Sequence, residues 1–319
     1  MTTPGYPAEP AEAALGLFLR WFGAHYARSV SAGEQQLSGG VLRVRVSVGR
    51  QWTLAVTVLD TLSAESTVAW EAARAAVEHR LDAAGLTVAL WTPRGAPLPS
   101  AEPGLSQLTA AIEEAEPLAD GRKQMRRSVR LHLRRHSTTG SVVTVLGGLS
   151  AHWAQFTNRV AGSYQLNSSE LFRLPASPEE RTELAERVVL AAGQPEVDES
   201  VVIPAEDCWT VTEAEGRSYV LGSPVGETEA QSSALRRNLR ALLREASSAA
   251  DEPADARVLV VLGAATYAEE EKISWALRGM DPGLYAGYDL LAVAADGVVR
   301  PLLQPGRSTM PWDAPLPGQ

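Results

Sequence analysis

Residues 257–265 read RVLVVLGAA, in which five aliphatic side chains follow one another with no polar residue between them. A strand with one wet face alternates apolar and polar positions. An unbroken run needs cover on both faces, which is what a strand inside a helix-flanked sheet receives. This stretch commits the chain to an α/β (α+β) fold with mixed sheets flanked by helices.

The flanking sequence supplies the other layers. Ala11 to Tyr26 places Leu15, Phe18, Leu19 and Phe22 at helical spacing, and SAGEQQLSGG is expected to break that helix. LRVRVSVGRQWTLAVTVLD reads as a hairpin, with Val44, Val46 and Val48 alternating against Arg43, Arg45 and Ser47 and the turn at Gly49. A helix from about Ser66 to Ala84 ends at Gly85, and LTVALW forms a further strand before a Pro-rich loop. Later, CWTVTEAEGRSYVLG reads as a hairpin with Gly216 and Arg217 at its corner, and Thr228 to Ser247 as a helix with Leu235, Leu239, Leu242 and Leu243 on one face. Tyr267 to Leu277 is expected to be helical. YDLLAVAA and VVRPLL flank an Asp296-Gly297 pair, the usual type I′ hairpin signal. The tail GRSTMPWDAPLPGQ is expected to be an extended arm.

Strand, Gly-Arg turn, strand, helix, strand thus occurs near residues 42–91 and again near 208–263, which suggests two pseudo-repeated ββαβ halves. Reuse of a common building pattern without duplication is the alternative. The expected domains are an N-terminal α-ββαβ unit at 1–100, a central basic hairpin and helical segment at 101–200, and a C-terminal ββαβαββ unit with its Pro-rich tail at 201–319.

Charge is distributed unevenly. The 319 residues carry a formal net charge of −9. Yet RKQMRRSVRLHLRRH, residues 122–136, contains seven Arg or Lys, two His and no acid. From Arg122 to Ser169 there are eight basic residues and no acid, leaving 21 basic and 38 acidic residues elsewhere. Such asymmetry points to an anionic partner or to pairing with the chain's own acids. Val129, Leu131 and Leu133 alternate with Arg130, His132 and Arg134, so a strand here buries one face and presents a basic one. STTG then turns the chain into SVVTVL, which would put the cationic face on a hairpin. In GGLSAHWAQFTNRVAG, Ser150 is the expected N-cap of a helix and Gly162 its C′ residue. Trp153, Phe156 and Val160 fall on its core side, and His152, Gln155 and Arg159 on the other. A helix with Glu179, Glu180 and Glu183 near its start follows at about Pro178 to Ala192.

The candidate anion or nucleic-acid site therefore comprises Arg122, Lys123, Arg126, Arg127, Arg130, Arg134, Arg135, His152, Gln155 and Arg159. Guanidiniums grip phosphate bidentately, while helix N-termini and amides position the backbone. Three readings compete: DNA or RNA binding, a surface for an acidic protein partner or larger complex, and a solvated face paired internally.

Catalytic motifs are absent. There is no HExxH, GxSxG, P-loop or dinucleotide fingerprint, and no residue pattern calls for a cofactor or a metal. The single cysteine, Cys208, excludes an intramolecular disulfide and reads as a buried thiol in a reducing compartment. No apolar stretch approaches the ~20 residues of a membrane helix, and the N-terminus lacks a signal peptide's pattern, so a cytoplasmic location and no membrane partner are expected. The strand opened by Asp289 resembles, in layout only, the metal-binding hairpin of restriction-endonuclease-type nucleases. Those place a Glu-x-Lys on the next strand to hold Mg²⁺ and orient water. Here Val299-Arg300-Pro301-Leu302 stands in its place, and Asp289 is the one weak catalytic candidate. The sequence leans away from an enzyme. The expected function is a nucleic-acid-associated or assembly subunit of the kind used in bacterial DNA repair or phage defence. An adaptor for an acidic protein and a degenerate or active nuclease are the alternatives.

Overall fold

The structure is a computed structural model, and it describes residues 9–63, 66–147, 149, 152–153, 159–224, 229–247, 253–263, 277, 280–303 and 310–313. The chain divides into two compact units, one formed by residues 1–109 together with 211–319 and the other by residues 110–210. Both have mixed helix and strand content, as the α+β reading requires.

The first unit is organised by a six-stranded mixed sheet. β1 (Val30–Ser38), β2 (Val41–Val48) and β3 (Trp52–Asp60) form an antiparallel meander. β11 (Ala256–Leu262) then runs parallel to β3 on one side and to β12 (Leu290–Ala295) on the other, and β13 (Val298–Leu303) closes the order β1-β2-β3-β11-β12-β13. The aliphatic run of β11 is thereby placed with two parallel neighbours and cover on both faces. Val258, Val260 and Leu262 share a core with Val46, Val56 and Val58 and with Leu15, Phe18 and Phe22 of α1 (Pro10–His25). Leu259 and Val261 face the opposite way, into Leu235, Leu239, Leu242 and Leu243 of α5 (Glu229–Ser247). The β12–β13 turn has Asp296 at φ 52° and Gly297 at φ 73°, the two positive values a type I′ turn demands.

α2 (Val68–Ala83) is capped by the Thr67 hydroxyl, which accepts the Trp70 N–H at 3.2 Å. β4 (Val88–Trp91) follows, parallel to β10 (Tyr219–Leu221). Glu78 of α2 is fully buried because it accepts both the Val220 N–H at 3.0 Å and the Arg74 guanidinium at 3.2 Å.

The second unit is a sheet of order β9-β6-β8-β7, built from β6 (Lys123–Ser137), β7 (Ser141–Leu146), β8 (Gly162–Asn167) and the first part of β9 (Ser200–Glu213). The two residues of β5 (Glu116–Pro117) pair with the start of β6. α4 (Pro178–Ala191) starts at Ser177, whose hydroxyl accepts the Glu180 N–H. Its Leu184 and Val188 share one core with Leu131, Leu133, Trp153, Tyr164, Leu166 and Ile203. Residues 104–113 form a further helix, α3 (Gly104–Glu113), that the Pro-rich pattern before it had hidden.

Several expectations are corrected. SAGEQQLSGG does not merely break a helix; most of it is the edge strand β1, almost wholly exposed and therefore without an apolar alternation to announce it. β6 and β7 are not a hairpin. β8 lies between them, antiparallel to β6 and parallel to β7, so the STTG segment carries the chain past a strand position filled later. β9 and β10 are likewise not a hairpin, since β4 lies between them. The two ββαβ segments therefore differ in strand order: β2 and β3 are neighbours, whereas β9 and β10 are separated. The duplication does not carry into the fold. β3 presents an open edge that β11 completes, so residues on both sides of the second unit build one sheet, and the basic segment is a strand of that second unit rather than a joint between halves. The tail is not wholly an extended arm, because Met310 and Trp312 are buried, with Trp312 edge-on to Phe22 and Tyr26. The expected helix at 267–277 lies outside the described residues except for Leu277, which is buried.

Candidate binding face

The alternation in β6 sorts its side chains as the sequence suggests. Val129, Leu131 and Leu133 are buried, while Arg130, His132, Arg134 and His136 are exposed. Register extends this outward row across the sheet. His132 is paired with Asn167 and Arg134 with Gln165 on β8; those in turn are paired with Leu146 and Thr144 on β7, where Val142 faces Ser163. The outward face over β6, β8 and β7 consists of cations, amides, hydroxyls and aliphatic groups, with no carboxylate among them. Val142 and Leu146 are unusually exposed for their type, at 54% and 44%.

Most of the other predicted cations are already engaged within this unit. Arg126 is held by three carboxylates: Nε to Glu116 at 3.0 Å, Nη1 to Glu206 at 2.8 Å and Nη2 to Glu180 at 2.8 Å. Partial burial lowers its pKa, but the hydrogen bonds to Glu180, Glu206 and Glu116 outweigh it and the net shift is upward. Arg122 is paired with Asp120 at 2.6 Å, and Arg159 with Glu186 at 2.6 Å. Arg127 lies over the Trp209 ring at 4.5 Å. Arg135 lies over Tyr164 at 5.8 Å and donates to the Pro195 carbonyl at 3.3 Å. Arg134 reaches Asp198 at 3.4 Å, a long contact between two exposed groups. Lys123 is exposed at the start of β6, and Arg130 is exposed with its backbone N–H donated to Glu170 at 3.2 Å. His152 is half-buried beside fully buried Trp153, and burial, then nearby Arg181, lowers its pKa. Gln155 and Phe156 lie outside the described residues. What remains available as free positive charge is a short row on β6 rather than the whole basic segment.

An open groove of about 940 Å³ runs along α4 with Arg126, Arg130, Glu206, Leu190 and Val202 among its walls. Leu190 is 72% exposed there. Sequence reasoning missed this groove, because its walls come from three stretches far apart in sequence, on β6, α4 and β9.

Two buried carboxylates have structural explanations. Asp207 accepts the Phe172 N–H at 2.9 Å, the Arg173 N–H at 2.7 Å and the Trp209 indole N–H at 2.7 Å, and burial still raises its pKa. In the first unit, Asp60 closes the turn after β3 by accepting from Leu62, Ser63 and the Ser63 hydroxyl, and burial raises its pKa too. Asp289 sits just before β12, with its carboxylate accepting the Arg257 N–H at 2.8 Å and its own N–H donating to the Arg257 carbonyl. Arg300 is paired in register with Val293, four residues further along than Asp289. Cys208 is buried, and burial pushes its thiol pKa up to about 12, far from a reactive thiolate. Among the described residues no three His, Cys, Asp or Glu side chains gather in a way that could hold a metal ion, and no helix is long and apolar enough to cross a membrane.

The chain matches no known family model, and neither a curated protein nor a solved structure resembles it significantly.

Proposed function

We propose that the protein is a non-enzymatic binding or assembly subunit that docks an acidic segment of a protein partner on the open face of its second unit. The observation that carries this reading is the make-up of that face: Arg130, His132 and Arg134 in one column, amides in the next and Val142, Thr144 and Leu146 in the third, with no acidic residue in these columns and Asp198 reaching Arg134 from outside them. Cations beside aliphatic groups suit a segment that alternates acids with apolar residues. Phosphate alone would leave the aliphatic column unused.

A second reading, DNA or RNA binding, is favoured by the exposure of Arg130 and the loose pairing of Arg134. It is weakened by the commitment of Arg122, Arg126 and Arg159 to carboxylates and by the burial of Trp153, which removes that ring as a stacking platform. The nuclease alternative loses its support at Asp289, whose carboxylate serves the backbone of β11.

The test is fluorescence anisotropy with two probes, an acidic peptide alternating Glu with Leu and a single-stranded oligonucleotide, each titrated at several salt concentrations. The expected result is peptide binding that weakens with salt and is lost in Arg130→Glu/Arg134→Glu. Tighter oligonucleotide binding, with a logarithmic salt slope of about −0.7 per phosphate contacted, would replace this reading with the second.

A further inference from the structure

β7 is an edge strand, and among the described strands it is the one edge without a protective device. β13 carries Arg300 and Pro301, β1 is polar, contains Glu34 and breaks register between Ala32 and Gln35, and β10 is three buried residues long. β7, SVVTVL, has no charge, no proline and no bulge against β8, and its described neighbour lies on one side only. We propose that this edge pairs with β7 of a second copy of the chain, antiparallel about a two-fold axis through Thr144.

The register follows from elementary geometry. The Gly140 carbonyl accepts from Gly162 and the Leu146 carbonyl from Ser168, so even-numbered residues of this stretch turn their backbone toward β8. The groups of Val143 and Val145 therefore point to the open edge. In an antiparallel pair, opposed residues share a face, so odd must meet odd and even must meet even. Centring on Thr144 sets Val143 against Val145 of the other copy, twice, which gives four backbone hydrogen bonds. On the outward face it sets Val142 against Leu146, twice, around a Thr144–Thr144 contact at the axis. Branched aliphatic and Thr–Thr pairs are favourable cross-strand neighbours, and the strand is its own complement in this register.

Charge does not oppose the pairing. The nearest cation on this face, Arg134, lies two strands in from the edge. Across the joined sheet the two β6 columns stand five strand spacings apart, about 24 Å, well beyond a screening length of about 8 Å at physiological salt. Because the axis is perpendicular to the sheet, both outward faces look the same way. Six residues a side is small against the ~20–30 of a standard interface, which puts this dimer in the weak class, with a dissociation constant on the order of 10–100 µM.

The experiment is sedimentation equilibrium on the full chain up to about 500 µM, several-fold above that constant. Wild type should approach twice its 34.0 kDa monomer mass. Thr144→Lys and Thr144→Glu, each placing like charges together at the axis, should stay monomeric alone and associate when mixed. Mild oxidation should cross-link Thr144→Cys as a dimer, the only other cysteine being buried Cys208. Monomer mass for wild type, dimer mass for either charged variant alone, or a mixture that fails to associate would each overturn the proposal.

Discussion

Arg126 shows how a residue that dominates a basic sequence can be withdrawn from the surface field. Three carboxylates from separate parts of the second unit, Glu116, Glu180 and Glu206, converge on its guanidinium. Removing the cation would leave those acids facing one another, so Arg126→Ala is expected to destabilise the protein by roughly 1–2 kcal/mol, more than an isolated surface pair because three acids share it. Arg130→Ala, at an exposed position with no such cluster, should change stability by less than about 0.5 kcal/mol while weakening partner binding. Chemical denaturation of the two variants checks the ordering. The reverse order would mean that the Arg126 cluster contributes nothing to the fold.

At the scale of elements, strand alternation was legible and strand pairing was not. β6 reads correctly residue by residue because Leu131 and Leu133 must be covered while Arg130 and Arg134 remain wet. Its neighbour was misread because a short turn-like STTG looks the same whether the chain doubles back directly or leaves room for another strand. β8 itself, GSYQLN, carries only Tyr164 and Leu166 as apolar signals and follows a segment with helical spacing. β1 escaped notice because an exposed edge needs no apolar face. The site was half legible: composition announced the cationic row, but the carboxylates that occupy Arg122, Arg126 and Arg159 come from as far as 80 residues away in sequence. One glycine fixes the arrangement. Gly147 ends β7 at φ 105°, and a Cβ there would stand 2.7 Å from the Ser169 nitrogen, against backbone that cannot swing aside. Gly147→Ala is expected to cost about 2–4 kcal/mol, combining left-handed strain with the overlap. Gly49→Ala, where φ is 59° and nothing lies within 4 Å, should cost about 1 kcal/mol. Thermal melts of the pair provide the comparison, and equal losses would contradict the crowding at Gly147.

On the scale of the molecule, the first unit is assembled from two stretches of chain. Val56 and Val58 of β3 find their parallel neighbours in Val258 and Val260, about two hundred residues on. A fragment of residues 1–109 should therefore fail to fold alone, with its apolar β3 edge exposed, and should aggregate on expression. Co-expression of residues 211–319 should return it to the soluble fraction. Circular dichroism of the purified fragment would settle the matter: a cooperative melt from 1–109 by itself would show that β11 is dispensable.

That split sheet also sets a schedule during synthesis. By residue 210 the ribosome has made every strand that the second unit needs, whereas the first must wait for β13 to finish at Leu303. At about 5–20 residues per second the delay is roughly 5–19 s, during which the β1-β2-β3 meander exists without the strands that complete its sheet. A nascent chain of this kind is most vulnerable in that interval, and the cell's holding chaperones would meet it at the hydrophobic edge of β3.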